Sequence, residues 1–72
     1  MTLMQATPGR VYIVRSVETG EAELDAFLFS LGCYSGEPIT VISRRRGGMT
    51  LAIKDGRYNI DDLLAARIYI QE

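Results

Sequence analysis

The stretch that decides the fold is residues 39–60, which read ITVISRRRGGMTLAIKDGRYNI. Apolar and polar residues alternate there in three short runs, and this period of two is typical of strands with one buried face. We therefore predict strands at 39–44, 49–54 and 57–60. The side chains expected to face inward are Ile39, Val41, Met49, Leu51 and Ile53.

Two tight turns separate these strands. Gly47-Gly48 and Asp55-Gly56 are typical of two-residue hairpin loops, because glycine and aspartate tolerate the positive φ that such loops need. The pattern predicts an antiparallel meander of three strands and gives Gly56 a structural role in the second turn.

A helix is predicted before the meander, over residues 21–31, which read EAELDAFLFSL. Its apolar residues recur at i, i+3, i+4 and i+7, the spacing of one helix face that packs on a core. These residues are Leu24, Phe27, Leu28 and Leu31. Gly32 suits a left-handed cap at the end of the helix, and Gly36 allows a tight reversal into the next strand.

Strands are also predicted at both ends of the chain, at 10–17 and 67–71, the latter with Ile68 and Ile70 inward. Asp61 can cap a single helical turn at 62–66. Five short strands are too few for a sandwich and favour a small closed barrel. We expect one domain over residues 1–72, mainly β with one α-helix, in which the first and last strands pair and the helix plugs one open end.

Composition narrows the function. The chain has 72 residues, formal net charge −1, 47% hydrophobic residues, no histidine and one cysteine. The absence of histidine removes imidazole bases and Ser-His-Asp or Cys-His nucleophile sets, and a single cysteine removes multi-cysteine zinc patterns and internal disulfides. No apolar run has the length of a signal peptide or membrane span. A cytoplasmic binding module is expected, not an enzyme.

Cys33 and the carboxylates are the possible ligands, and each has a structural alternative. Cys33 is expected to be a buried small hydrophobic residue, with a redox or intermolecular role as the alternative. Asp61 and Asp62, with Asp55 nearby, either start a helix or bind a hard cation. The acidic residues at 21–25 have the same two interpretations, and the helix start is favoured for both groups. We expect no metal site.

Arg44, Arg45 and Arg46 form the concentrated charge of the chain. They are candidates for binding an acidic partner surface, with a solvated hairpin tip and a nucleic-acid contact as the alternatives. The net charge of −1 argues against nucleic acid. Gly47-Gly48 lacks the following Lys-Ser or Lys-Thr of a phosphate-binding loop, so nucleotide chemistry is not expected in this chain.

The segment Leu31-Gly32-Cys33-Tyr34-Ser35-Gly36 resembles the FeoA family pattern of Leu-Gly, a few variable residues and Gly. Pro8-Gly9 before the first strand and the closing Ile60-to-Ile70 segment extend the resemblance over almost the whole chain. The chain departs from many members of the family at the arginine-rich hairpin and after Ile60, where they carry other residues.

The resemblance implies an SH3-like barrel and a partner, the FeoB-type ferrous iron transporter with its cytoplasmic GTP-binding domain. Ferrous iron is then the cargo of that partner, and no cofactor or catalytic residue is implied for this chain. Neither nucleic-acid binding nor membrane insertion is expected, and a homo-oligomer is left open. The alternative function is a small-barrel domain that binds nucleic acid or accompanies a repressor; a helix-turn-helix would favour it, and none is found.

Overall fold

One antiparallel sheet of five strands forms the protein, in the order β4-β3-β2-β1-β5. The computed structural model describes residues 1–72. Its helices and strands are β1 (Val11–Val17), α1 (Ala22–Ser30), β2 (Pro38–Arg45), β3 (Gly48–Ile53), β4 (Gly56–Asp61), α2 (Asp62–Ala65) and β5 (Ile68–Gln71). The mainly β fold with one longer helix is confirmed. Neither helix has the length and apolar character needed to cross a membrane.

The core is a single cluster inside the curled sheet. The inward positions predicted on the second, third and last strands are all at most 2% exposed, as the alternating pattern requires. On β1 the inward residues are Tyr12 and Val14, whereas Val11 is 60% exposed. The alternation of apolar and polar residues therefore correctly predicted which side chains of these strands face the core.

Both hairpin loops lie one residue earlier than predicted. Arg45 pairs with Gly48, so Arg46 and Gly47 form the first loop and Gly47 alone takes a positive φ of 80°. Ile53 pairs with Gly56, so the second loop is Lys54-Asp55, with Lys54 at φ 52°.

Gly48 and Gly56 are paired strand residues, and at both positions a Cβ would meet a neighbouring group. A Cβ on Gly48 would lie 2.7 Å from the carbonyl oxygen of Ile60. A Cβ on Gly56 would overlap the ring of Tyr58. The structural role of Gly56 therefore comes from close approach and not from turn geometry.

Helix α1 lies where the sequence predicts it, but only one of its residues is fully buried. That residue is Leu28, while Leu24 and Leu31 are half-buried and Phe27 is 51% exposed. Consecutive helical residues point roughly 100° apart, so Phe27 cannot face the core beside Leu28 when contact is this narrow. The prediction of a four-residue core stripe is wrong for Phe27. The helix packs on the core through Leu28, and its plugging of an open end of the barrel stays a prediction.

Gly32 ends α1 with φ 97°. The Gly32 N–H donates to the Phe29 carbonyl and the Cys33 N–H to the Leu28 carbonyl, both at 3.0 Å. This is the Schellman arrangement, which satisfies the last carbonyls of a helix. Gly36, at φ 93°, makes the following reversal.

The two edges of the sheet are β4 and β5. The predicted pairing of the first and last strands is confirmed, since β1 pairs with β5. This pairing does not close the ring, because β4 and β5 are not hydrogen-bonded to each other and are joined only through α2. The Asp61 carboxylate caps α2 by accepting from the Leu64 N–H at 2.8 Å, as predicted.

The N-terminal segment covers the β5 edge. A 3₁₀ turn at Leu3–Gln5 begins with a capping box between Thr2 and Gln5. Thr2 bridges to Tyr69, and the Ile70 N–H donates to the Met1 carbonyl at 2.9 Å. Leu3 is fully buried, which fastens the segment to the core.

Candidate interaction surface

The candidate residues Arg44, Arg45 and Arg46 are consecutive in the arginine-rich hairpin, but their side chains have different partners. The guanidinium of Arg44 donates to the carbonyl oxygens of Leu3, Met4 and Ala6, at 2.9, 3.2 and 2.7 Å. The Leu3 carbonyl also accepts from the Ala6 N–H at 3.2 Å, and the guanidinium adds charge-assisted hydrogen bonds at the end of this 3₁₀ turn. Arg44 therefore holds the N-terminal segment and does not stand free for a partner.

Arg45 lies on the outer face of the sheet and is also engaged. Its guanidinium donates to the Thr50 hydroxyl at 3.0 Å and to the Met49 carbonyl at 3.4 Å. The Thr50 hydroxyl in turn donates to the Asn59 amide oxygen at 2.7 Å. This polar row crosses β2, β3 and β4 and orients Arg45 along the sheet.

Arg46 occupies the first position of the hairpin loop and makes no hydrogen bond or ion pair within the chain. Its charge is therefore available to a partner. The sequence pattern placed the three arginines in one set. In the structure Arg44 binds the N-terminal segment, Arg45 lies along the sheet, and Arg46 is exposed in the hairpin loop.

The acidic residues act at helix starts. Asp25 accepts from the Thr19 N–H at 3.1 Å and the Thr19 hydroxyl at 2.7 Å, and these hydrogen bonds lower the pKa of its carboxyl. No group of three or more metal-ligating side chains is brought together. Asp61 and Asp25 therefore have local structural partners.

Cys33 is 1% exposed, directly after the Gly32 cap. Burial raises the pKa of its thiol to about 11. The thiolate is the reactive and metal-binding form of cysteine, so this environment keeps Cys33 unreactive at neutral pH.

An aromatic cleft of about 640 Å³ between α1 and the β3–β4 turn was not predicted. Phe29 stacks against Tyr34 with ring centroids 4.7 Å apart, and the ammonium of Lys54 lies 5.3 Å from the Tyr34 centroid. Lys54 also pairs with Glu37. Phe29 is off the predicted helix stripe, and this position was the available signal that its ring is exposed.

Taken with the fold, these features define a class: a small-barrel domain whose charged and aromatic side chains lie at its surface. Within that class, the family model for the FeoA domain matches residues 1–72, and the chain belongs to this family. Membership links the chain to iron uptake systems. No curated protein sequence matches the chain significantly.

Solved structures share the fold. A crystal structure of the iron uptake regulatory protein FeoA has a TM-score of 0.87 at 25% identity, covering 99% of this chain and 95% of that one. A manganese-dependent transcriptional repressor has a TM-score of 0.87 at 18% identity, and this chain spans 40% of its length. ScaR with bound Cd²⁺ has a TM-score of 0.85 at 20% identity, with 35% of its length spanned. The last two show the fold alone.

Proposed function

We propose that this protein is an accessory, regulatory binding module of ferrous iron transport that acts on an FeoB-type membrane transporter from the cytoplasmic side. The observation that carries the proposal is the FeoA-domain match over all of residues 1–72. The iron uptake regulatory protein supports it further, because 95% of that chain corresponds to this one.

The chemistry of the surface supports binding as the mode of action. Without histidine and with one buried thiol, the chain lacks imidazole bases, Cys-His and Ser-His-Asp sets and the usual ligands of a transition-metal site. Ferrous iron is then the cargo of the transporter and is not held by this chain. Arg46 offers a free charge to an acidic partner, and arginine is favoured at protein interfaces.

The second candidate is a repressor-associated domain, favoured by the structural likeness to a manganese-dependent transcriptional repressor. That repressor is much longer than this chain, which spans 40% of it. Within residues 1–72, α1 and α2 are separated by three strands and do not form a helix-turn-helix. The observations therefore favour the transporter.

Titration of the purified chain with the cytoplasmic portion of an FeoB-type transporter tests the proposal, with duplex DNA as the competing partner. We expect saturable binding to the transporter portion and none to DNA. Arg46→Glu is expected to slow association and change its salt dependence, because exposed charges at an interface act mainly on the encounter.

Arg15→Glu provides the control, since it makes the same charge change at an exposed position on β1. Equal association rates for both variants would remove Arg46 from the interface. Failure of the wild-type chain to bind either the cytoplasmic portion or the full-length transporter would overturn the proposed function.

A further inference from the structure

Strand β4 is the uncovered edge of the sheet. It is six residues long, pairs only with β3, and keeps an unbroken register along its whole length. It contains no proline, no lysine and no bulge, three of the devices by which proteins prevent edge strands from pairing with another chain, although Arg57 and Asp61 are charged. Nothing in the chain covers it in the way that the N-terminal segment covers β5.

The register identifies the groups that point away from the sheet. The loop Lys54-Asp55 is a two-residue hairpin, so the flanking pair Ile53 and Gly56 is hydrogen-bonded and such pairs alternate along β4. The backbone groups of Arg57, Asn59 and Asp61 therefore point outward. No backbone hydrogen bond within the chain uses the N–H or C=O of Arg57 or Asn59 on this side.

The side chains of these residues lie on one face. Arg57, Asn59 and Asp61 alternate with the inward Tyr58 and Ile60, and all three are exposed. Arg57 makes no ion pair within the chain. Asp61 uses one carboxylate oxygen, Oδ1, to cap α2 and leaves Oδ2 free.

We propose that β4 pairs antiparallel with β4 of a second copy of this chain, about a twofold axis at Asn59. In this register Arg57 lies directly opposite Asp61 of the second copy, and the symmetry produces the same pair again. Asn59 faces Asn59 of the second copy. The N–H groups of Asn59 and Asp61 donate to the carbonyls of Asn59 and Arg57 of the other copy, which joins the two sheets into one.

The order of charges along β4 favours a second copy of this chain as the strand that pairs with it. Basic, neutral and acidic side chains follow one another at two-residue spacing, and an antiparallel twofold inverts that order. Opposite charges directly across a strand pair stabilise it, whereas like charges destabilise it. A closed, isologous contact of this kind ends at a dimer and does not propagate.

The chain beyond β4 leaves room for the second strand. The Asp62 N–H donates to the Gly47 carbonyl at 3.0 Å, so the backbone continues on the β3 side before it enters α2. The contact is small, and small interfaces give weak complexes. The dimer is therefore expected to form measurably only at high protein concentration and to weaken with salt, because exposed ion pairs are screened.

Sedimentation equilibrium of the whole chain, up to about 1 mM in low salt, tests the pairing. We expect the wild type to dimerise and Arg57→Glu to weaken the dimer at least about tenfold, since it places Glu opposite Asp61. The control Arg15→Glu makes the same charge change on β1, off the edge, and should dimerise like the wild type. The swapped variant Arg57→Asp/Asp61→Arg inverts the charge order, so dimerisation should return; because the swap also removes the Asp61 cap of α2, circular dichroism checks that the variant keeps its fold.

Asn59→Pro tests the backbone pairing of the two β4 strands independently of the charges. The N–H of Asn59 does not serve the β3 ladder, so proline there keeps the fold, which circular dichroism checks, and removes the central intermolecular bond. A wild type that is monomeric at every concentration would overturn the inference. So would equal dimerisation of the wild type, Arg57→Glu and Asn59→Pro. Because no transporter is present, either result is independent of the proposed function.

Discussion

The two edges of the sheet differ, because one is covered by another part of the chain and the other is not. Strand β5 is covered by the N-terminal segment, whose Leu3 is buried and whose carbonyls are held by Arg44. Strand β4 has no cover and presents Arg57, Asn59 and Asp61 outward. An unpaired edge is a template for another strand, so covering one edge directs association to the other.

The same comparison explains the arginine-rich hairpin. Arg44 belongs to the protection of the β5 edge, and Arg46, two residues further on, is free in the loop. A run of like charges in a sequence can therefore combine a residue that supports the fold with a residue that has no partner within the chain. Replacement of Leu3, replacement of Arg44 and a shift to alkaline pH test the covered edge and the core, in order of decreasing effect.

Leu3→Ala should have the largest effect on the β5 edge. Leu3 is fully buried, and removing a buried leucine side chain costs about 3 kcal/mol of unfolding free energy. Met4→Ala is the control, because Met4 is 37% exposed in the same turn. Urea unfolding followed by circular dichroism measures both. Equal, small losses for the two variants would show that the segment does not contribute to the fold.

Arg44→Ala should lower the unfolding free energy by about 2 kcal/mol, because it removes a charged donor and leaves the carbonyls of Leu3 and Ala6 without that partner. Arg46→Ala, on the same hairpin, should change it by less than about 0.5 kcal/mol. The difference between the two denaturation midpoints is the measurement. If both variants unfold like the wild type, the hydrogen bonds of Arg44 do not hold the covered edge.

Alkaline pH provides a smaller effect, about 1.4 kcal/mol at pH 10, that reports on the core around Cys33. Burial raises the pKa of Cys33 from 9.0 to about 11, so the unfolded chain loses the thiol proton at a lower pH than the folded chain. The unfolded state binds fewer protons in this window, and stability therefore falls as pH rises from about 9 to about 11, by about 1.4 kcal/mol per pH unit from this group.

Cys33→Ala should remove that component of the slope, measured by urea unfolding at a series of pH values. An unchanged slope in the variant would contradict the assignment to Cys33. Slow alkylation of the wild-type thiol, accelerated in Arg44→Ala but not in Arg46→Ala, would link the interior to the covered edge.

The sequence predicted those parts of the molecule that depend on local pattern. Alternation located the strands, the helix spacing located α1, and Asp61 was recognised as a cap. The turns were displaced because Gly48 and Gly56 were interpreted as turn residues, whereas they pair with Arg45 and Ile53 as strand residues, with Ile60 and Tyr58 close by. Phe27 was assigned to the core because periodicity does not show how narrowly a helix is packed.

The properties of the surface depended on distant residues. Arg44 meets carbonyls that lie 38 to 41 residues away in sequence, which no local pattern reveals. Likewise, the uncovered state of β4 follows from the strand order and from the position of the N-terminal segment. The sequence therefore predicted Arg44, Arg45 and Arg46 as one group and did not show that only Arg46 lacks a partner within the chain.

Ferrous iron uptake tests the proposed function most directly. Radiolabelled ferrous iron would be measured in cells that contain the FeoB-type transporter, with this chain present, absent, or carrying Arg46→Glu at equal abundance. Uptake is expected to fall when the chain is absent, to return with the wild type, and to recover less with Arg46→Glu than with Arg15→Glu. Uptake that is unchanged by the loss of the chain would contradict a role in ferrous iron transport.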